Sequence, residues 1–289
     1  MGLIDFILNL AGLLMWLSWR SVRYDPLNQR RPATLLGTLR PAQANNWERW
    51  HLLLAIVGLL LLRALLYWFI GAAAGWQGRL NVGVISVSIP FYNHFSDLLL
   101  RIIPYSFLSF GLALGVVYLW LLLLSILAGP EPTHRLVRVQ LGAVDGWPRW
   151  LKWLLPFAVT GCLWWLATWL FASMETGGYS RTHVLPRPVS AWQRLESSAI
   201  VGAGSYLAWK FVIAGLLVLH FLNTYVYFGK HPFWAYVNAT ARKLLAPLGK
   251  IPLRVGKVDF APVAGIALTF LAAKLLQEAL VWLYARLAY

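Results

Sequence analysis

Residues 51–69, HLLLAIVGLLLLRALLYWF, carry one formal charge, Arg63, and no proline. The hydrocarbon core of a bilayer is about 30 Å thick, and a helix rising 1.5 Å per residue needs about 20 apolar residues to cross it. The stretch is therefore read as a transmembrane helix. Four more runs of the same kind follow: Tyr105–Ala128, Trp153–Ser173, Ser205–Phe228 and Pro262–Tyr284. A sixth, Leu3–Trp19, is shorter and is interrupted by Asp5 and Asn9, so it either spans or lies in the interface as an amphipathic helix.

Composition agrees. Of 289 residues, 60% are hydrophobic and only 12% charged, and mean hydropathy is +0.63. Soluble domains hold about half apolar and about a quarter charged residues. Yet 25 Lys and Arg stand against 10 Asp and Glu, a net charge of +15. A basic excess on an apolar chain points to loops facing anionic lipid. Nucleic acid is not the expected partner, because no helix-turn-helix, zinc or aromatic RNA-binding pattern occurs.

The basic residues are not spread evenly. Segments 20–50, 129–152 and 229–257 hold 6, 4 and 6 Lys and Arg, whereas segments 72–104 and 174–198 hold 2 and 3. Alternate loops are basic, the positive-inside pattern, which puts the three rich loops in the cytoplasm. Trp16, Trp19, Trp47 and Trp50 border the first basic loop, and Trp147, Trp150 and Trp153 the second, as interfacial aromatics do. Between the spans, Leu80–Phe91 alternates at Leu80, Val82 and Val84 and is expected to be extended. Segment 175–198, rich in Gly, Ser, Thr and Pro, is expected to be loop. In the last basic loop, Phe233, Val237, Ala241, Leu244 and Leu248 fall on one helical face, with Arg242 and Lys243 off it. That is an amphipathic helix, lying on the inner leaflet or packed on its own bundle. The fold class is thus all-α: a polytopic bundle of about six spans with interfacial helices.

The basic loops also repeat. Pro26, Pro132 and Pro232 each follow a span, and Pro41, Pro148 and Pro247 come 15, 16 and 15 residues later. GAVDGWP (Gly142–Pro148) and GKVDFAP (Gly256–Pro262) share G-x-V-D-x-x-P directly before a span. Gly permits a tight turn, Asp145 and Asp259 are expected to cap the next helix, and Pro is tolerated in a first turn. The repeat divides the chain into 1–104, 105–198 and 199–289. Repeats beginning on the same side are parallel, unlike the inverted repeats of many transporters.

Residues 232–263 resemble the YggT family of small membrane proteins, whose pattern is approximately T-x-P-L-L-x-P-x-R-R-x-x-P followed by G-x-D-x-S-P at a span. Thr240, Leu244, Leu245, Pro247, Lys250, Pro252, Gly256, Asp259 and Pro262 match in order. Gly249 stands where the first basic residue is expected, and Ala261 replaces the motif serine. A weaker second copy covers about 106–173, with Gly142, Asp145 and Pro148. The resemblance implies a bacterial inner-membrane protein, with relatives linked to osmotic tolerance, cell division and plastid complex assembly, and no defined reaction.

Ionisable residues inside spans are functional suspects. Arg63 lies 12 residues into its span and Lys274 likewise, with Glu278 one turn further. Glu278 is expected to bridge Arg63 or Lys274. His220 is expected to hydrogen-bond within the bundle. Ser205, in Gly202-Ala203-Gly204-Ser205, resembles a protease serine, but His220 is about 22 Å away along the helix, too far to activate it. The small residues instead suit close helix packing. Cys162 stands alone, so no intramolecular disulfide forms, and no zinc, haem-attachment or nucleotide motif occurs. No cofactor is expected. The function expected is a non-catalytic scaffold or assembly factor for other integral membrane proteins, with Arg242, Lys243, Lys250 and Arg254 facing anionic lipid. The alternatives are a channel or transporter using Arg63, Lys274 and Glu278, and an accessory subunit of an energy-transducing complex.

Overall fold

A computed structural model of the chain describes residues 2–22, 46–71, 73–91, 94–127, 135–174, 190–226, 232–250, 254–255 and 258–286. Almost all of these are helical. Six helical stretches are long and apolar enough to cross a membrane: Gly2–Arg20, Trp50–Gly71, Phe95–Leu127, Arg149–Trp169, Ala191–Tyr225 and Ala261–Arg286. Each overlaps one of the six runs read from the sequence, which defines the class: a polytopic helical membrane protein.

The chain clusters into two compact units, Met1–Arg79 with Ser88–Gly115, and Leu80–Val87 with Val116–Tyr289. In the first, α1 (Gly2–Val22) runs beside α2 (Asn46–Leu66), which continues into a π-helical turn at Tyr67–Gly71. Strands β1 (Gln77–Val82) and β2 (Ile85–Pro90) form the expected extended segment as a hairpin, whose turn explains why the alternation breaks at Ile85. A short turn, α3 (Phe95–Asp97), leads through a second π turn, Leu98–Ile102, into α4 (Ile103–Leu127). Ile56, Leu60 and Phe110 form the apolar core here, with Leu13, Met15 and Trp16 against them.

The order of contacts decides the open question about the first run. Asn9 meets Arg63 and Asp5 meets Tyr67, so α1 and α2 lie side by side in antiparallel order. A helix aligned turn by turn with a spanning neighbour spans with it. The interfacial alternative does not fit this pairing.

The second unit contains the later part of α4, then α5 (Arg135–Leu141), a 3₁₀ turn at Gly142–Gly146, and α6 (Arg149–Met174). It continues with α7 (Ala191–Gly204), a 3₁₀ turn at Ser205–Ala208, α8 (Trp209–Tyr225), α9 (Pro232–Leu245) and a 3₁₀ turn at Ala246–Lys250. The two-residue strands β3 (Arg254–Val255) and β4 (Val258–Asp259) pair antiparallel before α10 (Ala261–Arg286). Leu122, Leu123, Ile126 and Trp209 form its core, with Val144, Leu155 and Tyr206 around them.

One sequence expectation is corrected. Residues 191–198, read as loop, are the first turns of α7. Ser190 Oγ accepts from the Gln193 amide while Gln193 returns a bond to the Ser190 amide, a capping box that starts a helix despite the polar composition. Ser197 and Ser198, which suggested loop, donate back to the Arg194 carbonyl and so satisfy their hydroxyls inside the helix. The small residues do serve close packing: a Cβ on Gly202 would lie 2.7 Å from the Phe157 carbonyl of α6. Ser205 Oγ donates to the Gly202 carbonyl at 2.7 Å, as a packing serine does.

The amphipathic helix in the last basic loop is α9. Val237 and Ala241 are fully buried by the protein itself, so its apolar face packs on its own bundle. His220 Nδ1 meets Asn238 Oδ1 at 2.8 Å, the intrabundle hydrogen bond expected for that histidine.

Candidate functional site

Three polar constellations stand out: one in the first unit and two in the second. In the first, Arg63 is 0% exposed. Its Nε donates to Ser106 Oγ at 2.8 Å, its Nη1 to Asn9 Oδ1 at 2.6 Å, and its Nη2 to the Ser106 carbonyl. Ser106 Oγ passes a hydrogen bond on to the Leu60 carbonyl at 2.7 Å, and Asn9 Nδ2 donates to Ser109 Oγ at 3.3 Å. One turn away, Tyr67 donates to Asp5 Oδ1 and Tyr105 to Asp5 Oδ2, the latter at 3.3 Å. Phe91 closes the cluster, stacked on Tyr67 at 5.4 Å and edge-on to Tyr105 at 5.3 Å.

The local causes are visible. Arg63 and Tyr67 are four residues apart on α2, and Asp5 and Asn9 four apart on α1, so each pair shares a helix face. Tyr67 opens one π turn and Ile102 ends the other; an extra residue per turn re-aims the flanking side chains. The guanidinium offers five donors in a planar fork, and three of them reach three different acceptors here. An arginine at this depth is tolerable only with such partners. Chemically the cluster is a closed network that ties α1, α2 and α4 together.

The second constellation surrounds Asp145. Its Oδ1 accepts from Ser125 Oγ at 2.6 Å and lies 3.7 Å from Lys152 Nζ; its Oδ2 accepts from Arg138 Nε at 3.2 Å. Lys152, itself buried, also donates to Ser125 Oγ at 2.7 Å and to the Asp145 carbonyl at 2.6 Å. Partial burial pushes the Asp145 carboxyl up, but the hydrogen bonds from Ser125 and Arg138 and the charge of Lys152 outweigh it and hold the group below the ordinary aspartate value. Gly142 makes this geometry possible with φ +59°, where a side chain would be strained.

The two copies of G-x-V-D-x-x-P therefore differ. Asp259 behaves as the sequence suggests: its Oδ1 accepts from the Ala261 amide at 2.9 Å and caps α10. The Asp145 carboxylate is engaged by side chains of α4, α5 and α6 instead, and the cap expected there is corrected. Pro148 and Pro262 sit where their helices begin. Pro247 lies in the 3₁₀ turn after α9. Pro252 and Gly256 lie outside the described residues, as do the side chains of Lys250 and Arg254. Arg242 and Lys243 are both exposed, and Lys243 Nζ donates to the Leu127 carbonyl at 3.2 Å, satisfying an open carbonyl at the end of α4.

The third constellation is the pair Lys274–Glu278 on α10, with Nζ 3.8 Å from Oε1 and the side chains 73% and 63% exposed. The structure brings these two candidates together. Arg63 has its hydrogen bonds within the first unit, to residues that were not candidates. Sequence reading noted Asp5 and Asn9 only as interruptions; their spacing of four, matching that of Arg63 and Tyr67, is the signal that would have found them.

Among the described residues, no group of three His, Cys, Asp or Glu side chains could hold a metal ion. Comparisons with protein families, with curated proteins and with solved structures found no match.

Proposed function

We propose that the chain is a non-catalytic organiser of other integral membrane proteins, of the YggT type, in the bacterial cytoplasmic membrane with its basic loops inside. The observation that carries this reading is the contrast between two charged sites, with Arg63 and Lys274 each 12 residues into its own span. Arg63 is enclosed, and each of its three guanidinium nitrogens donates one hydrogen bond. Lys274 and Glu278 stand uncovered on a helix of which 11% is buried.

An ionised side chain at mid-bilayer costs roughly 2.5–3.5 kcal/mol on insertion scales. An ion pair with one partner relieves part of that cost. Its remaining donors and acceptors are best met by another protein surface, because lipid tails offer none. Helix α10 is therefore an association element. Exposed Trp150, Trp153, Trp165 and Trp169 on α6 add rigid aromatic surface of the kind interfaces use. Arg242 and Lys243 give α9 a basic outer face, each such residue contributing roughly 1 kcal/mol beside anionic lipid. The transport alternative draws less support from Arg63, which is buried and hydrogen-bonded to Asn9 and Ser106.

The test is affinity capture of the full chain from native membranes in mild detergent. Recovery of a distinct integral membrane protein at a fixed ratio is the expected result. Recovery of none above an empty-tag control contradicts the organiser reading.

A further inference from the structure

We infer that the β1–β2 hairpin is re-entrant: its polar face lines a water-filled inlet that runs from one membrane face to mid-bilayer and admits small hydrophilic solutes. This goes beyond the organiser reading and does not depend on it.

The turn gives the depth. The hairpin's tip, Leu80–Val87, belongs to the second unit. There Gly83, at φ +60°, meets the end of α7: a Cβ on it would lie 3.0 Å from the carbonyl carbon and oxygen of Gly204. A Cβ on Gly204 would in turn lie 3.0 Å from Val84 Cγ2. Only two glycines let the turn seat this closely. Two residues earlier on α7, Gly202 packs against the Phe157 carbonyl of α6. Phe157 is 8 residues after Arg149 and 12 before Trp169, the bounds of that span, so about 12 Å from one end and 18 Å from the other. The turn therefore seats near mid-span. Strands of six residues extend about 20 Å, enough to reach this level from the end of the span Trp50–Gly71.

The side chains give the occupant. On β1, Gly78 and Leu80 are buried, while Gln77, Arg79 and Asn81 alternate with them and are exposed. On β2, Ser86 and Ser88 are exposed. None of these five exposed side chains is apolar, and none has a partner among the described residues. The sheet has two strands among those residues, so no third strand pairs its outer edges. Lipid tails satisfy neither the side chains nor the edges, and non-helical backbone at this depth needs protein or water around it. Protein interfaces are depleted of charge at their cores, and this face carries Arg79 without an apolar anchor. Water is the cover that fits. The exposed side chains of α6 on either side of Gly161 are Val159 and Leu163, a surface that lipid suits.

The test is thiol access in the full chain, in native membranes and a Cys162→Ala background, from the face opposite the basic loops. Two reagents are compared: small, charged sulfonatoethyl methanethiosulfonate and a bulky polyethylene-glycol maleimide. Each yield is divided by the total thiol that reacts after denaturation in SDS. Asn81→Cys and Ser86→Cys are expected to react with the small reagent at least about tenfold faster than Val159→Cys, because the thiolate that attacks forms in water and not in lipid. The bulky reagent is expected to reach Ala74→Cys, an exposed position before the hairpin, and neither of the two hairpin cysteines. Adding Gly83→Ala to Ser86→Cys is expected to unseat the turn and raise its reaction with the bulky reagent. Silence of both hairpin cysteines toward the small reagent overturns the inlet, since lipid or protein then covers the face. Reaction of both with the bulky reagent as fast as Ala74→Cys also overturns it, since the hairpin then stands in bulk water. Native-membrane capture decides the organiser reading separately, so the two can fail independently.

Discussion

Arg63 shows how one residue can hold a membrane bundle together. Within lipid the hydrophobic effect gives helices no reason to associate, so packing and polar contacts carry the load. Arg63 spends its donors on Asn9 and Ser106, and its neighbour Tyr67 bonds Asp5. Arg63→Met is expected to destabilise the first unit by about 2–5 kcal/mol, since it leaves Asn9 Oδ1 and the Ser106 carbonyl without their donor. Arg63→Lys keeps the charge but not the fork, and is expected to lose a smaller amount, about 1–3 kcal/mol. Denaturant unfolding in detergent measures both. At Asp145 the sign follows from its lowered folded value. The unfolded carboxyl titrates near about 3.9, so the Asp145 contribution is complete above that pH. It is lost as pH falls through the lower folded value. Thermal unfolding of wild type is therefore expected to drop more steeply on acidification than that of Asp145→Asn. Parallel profiles contradict the assignment.

At the scale of elements, α1 is the helix most dependent on its polar side. Only 6% of its apolar window is buried, and Asp5 and Asn9 add polar anchors to α2 beside the packing of Leu13, Met15 and Trp16. A double-mutant cycle of Asn9→Leu with Arg63→Met is expected to give a coupling energy of about 0.5–3 kcal/mol, the range for residues in one network. Additive effects contradict the pairing. Helices were the easiest elements to read from the sequence, because an apolar run of bilayer length has few other uses. The extended segment at Leu80–Phe91 was also readable, since its period of two survives up to the turn. The start of α7 was not. Ser190, Ser197 and Ser198 look like loop residues by composition, and only the reciprocal Ser190–Gln193 bonds reveal a helix start. The Arg63 network was half readable. Its charge was conspicuous, but its partners are uncharged or lie on a run judged by its interruptions. The Asp145 cluster was hidden because Lys152 and Ser125 are ordinary residues until folding brings three helices to one point.

For the whole molecule, six candidate spans with alternating basic loops are the basis for the proposed threading as three hairpins from one face of the membrane. The positive-inside pattern is what supports that threading. Everything functional depends on the threading, because loop sidedness decides which charges meet anionic lipid and which helix ends share a depth. The direct measurement is labelling of single cysteines with a membrane-impermeant thiol reagent, in a Cys162→Ala background. Ala143→Cys and Arg242→Cys, both exposed positions in basic segments, are expected to react only when the cytoplasmic face is open, and Ser86→Cys only from the other side. If Ala143→Cys and Arg242→Cys react from opposite faces, the hairpin threading is wrong.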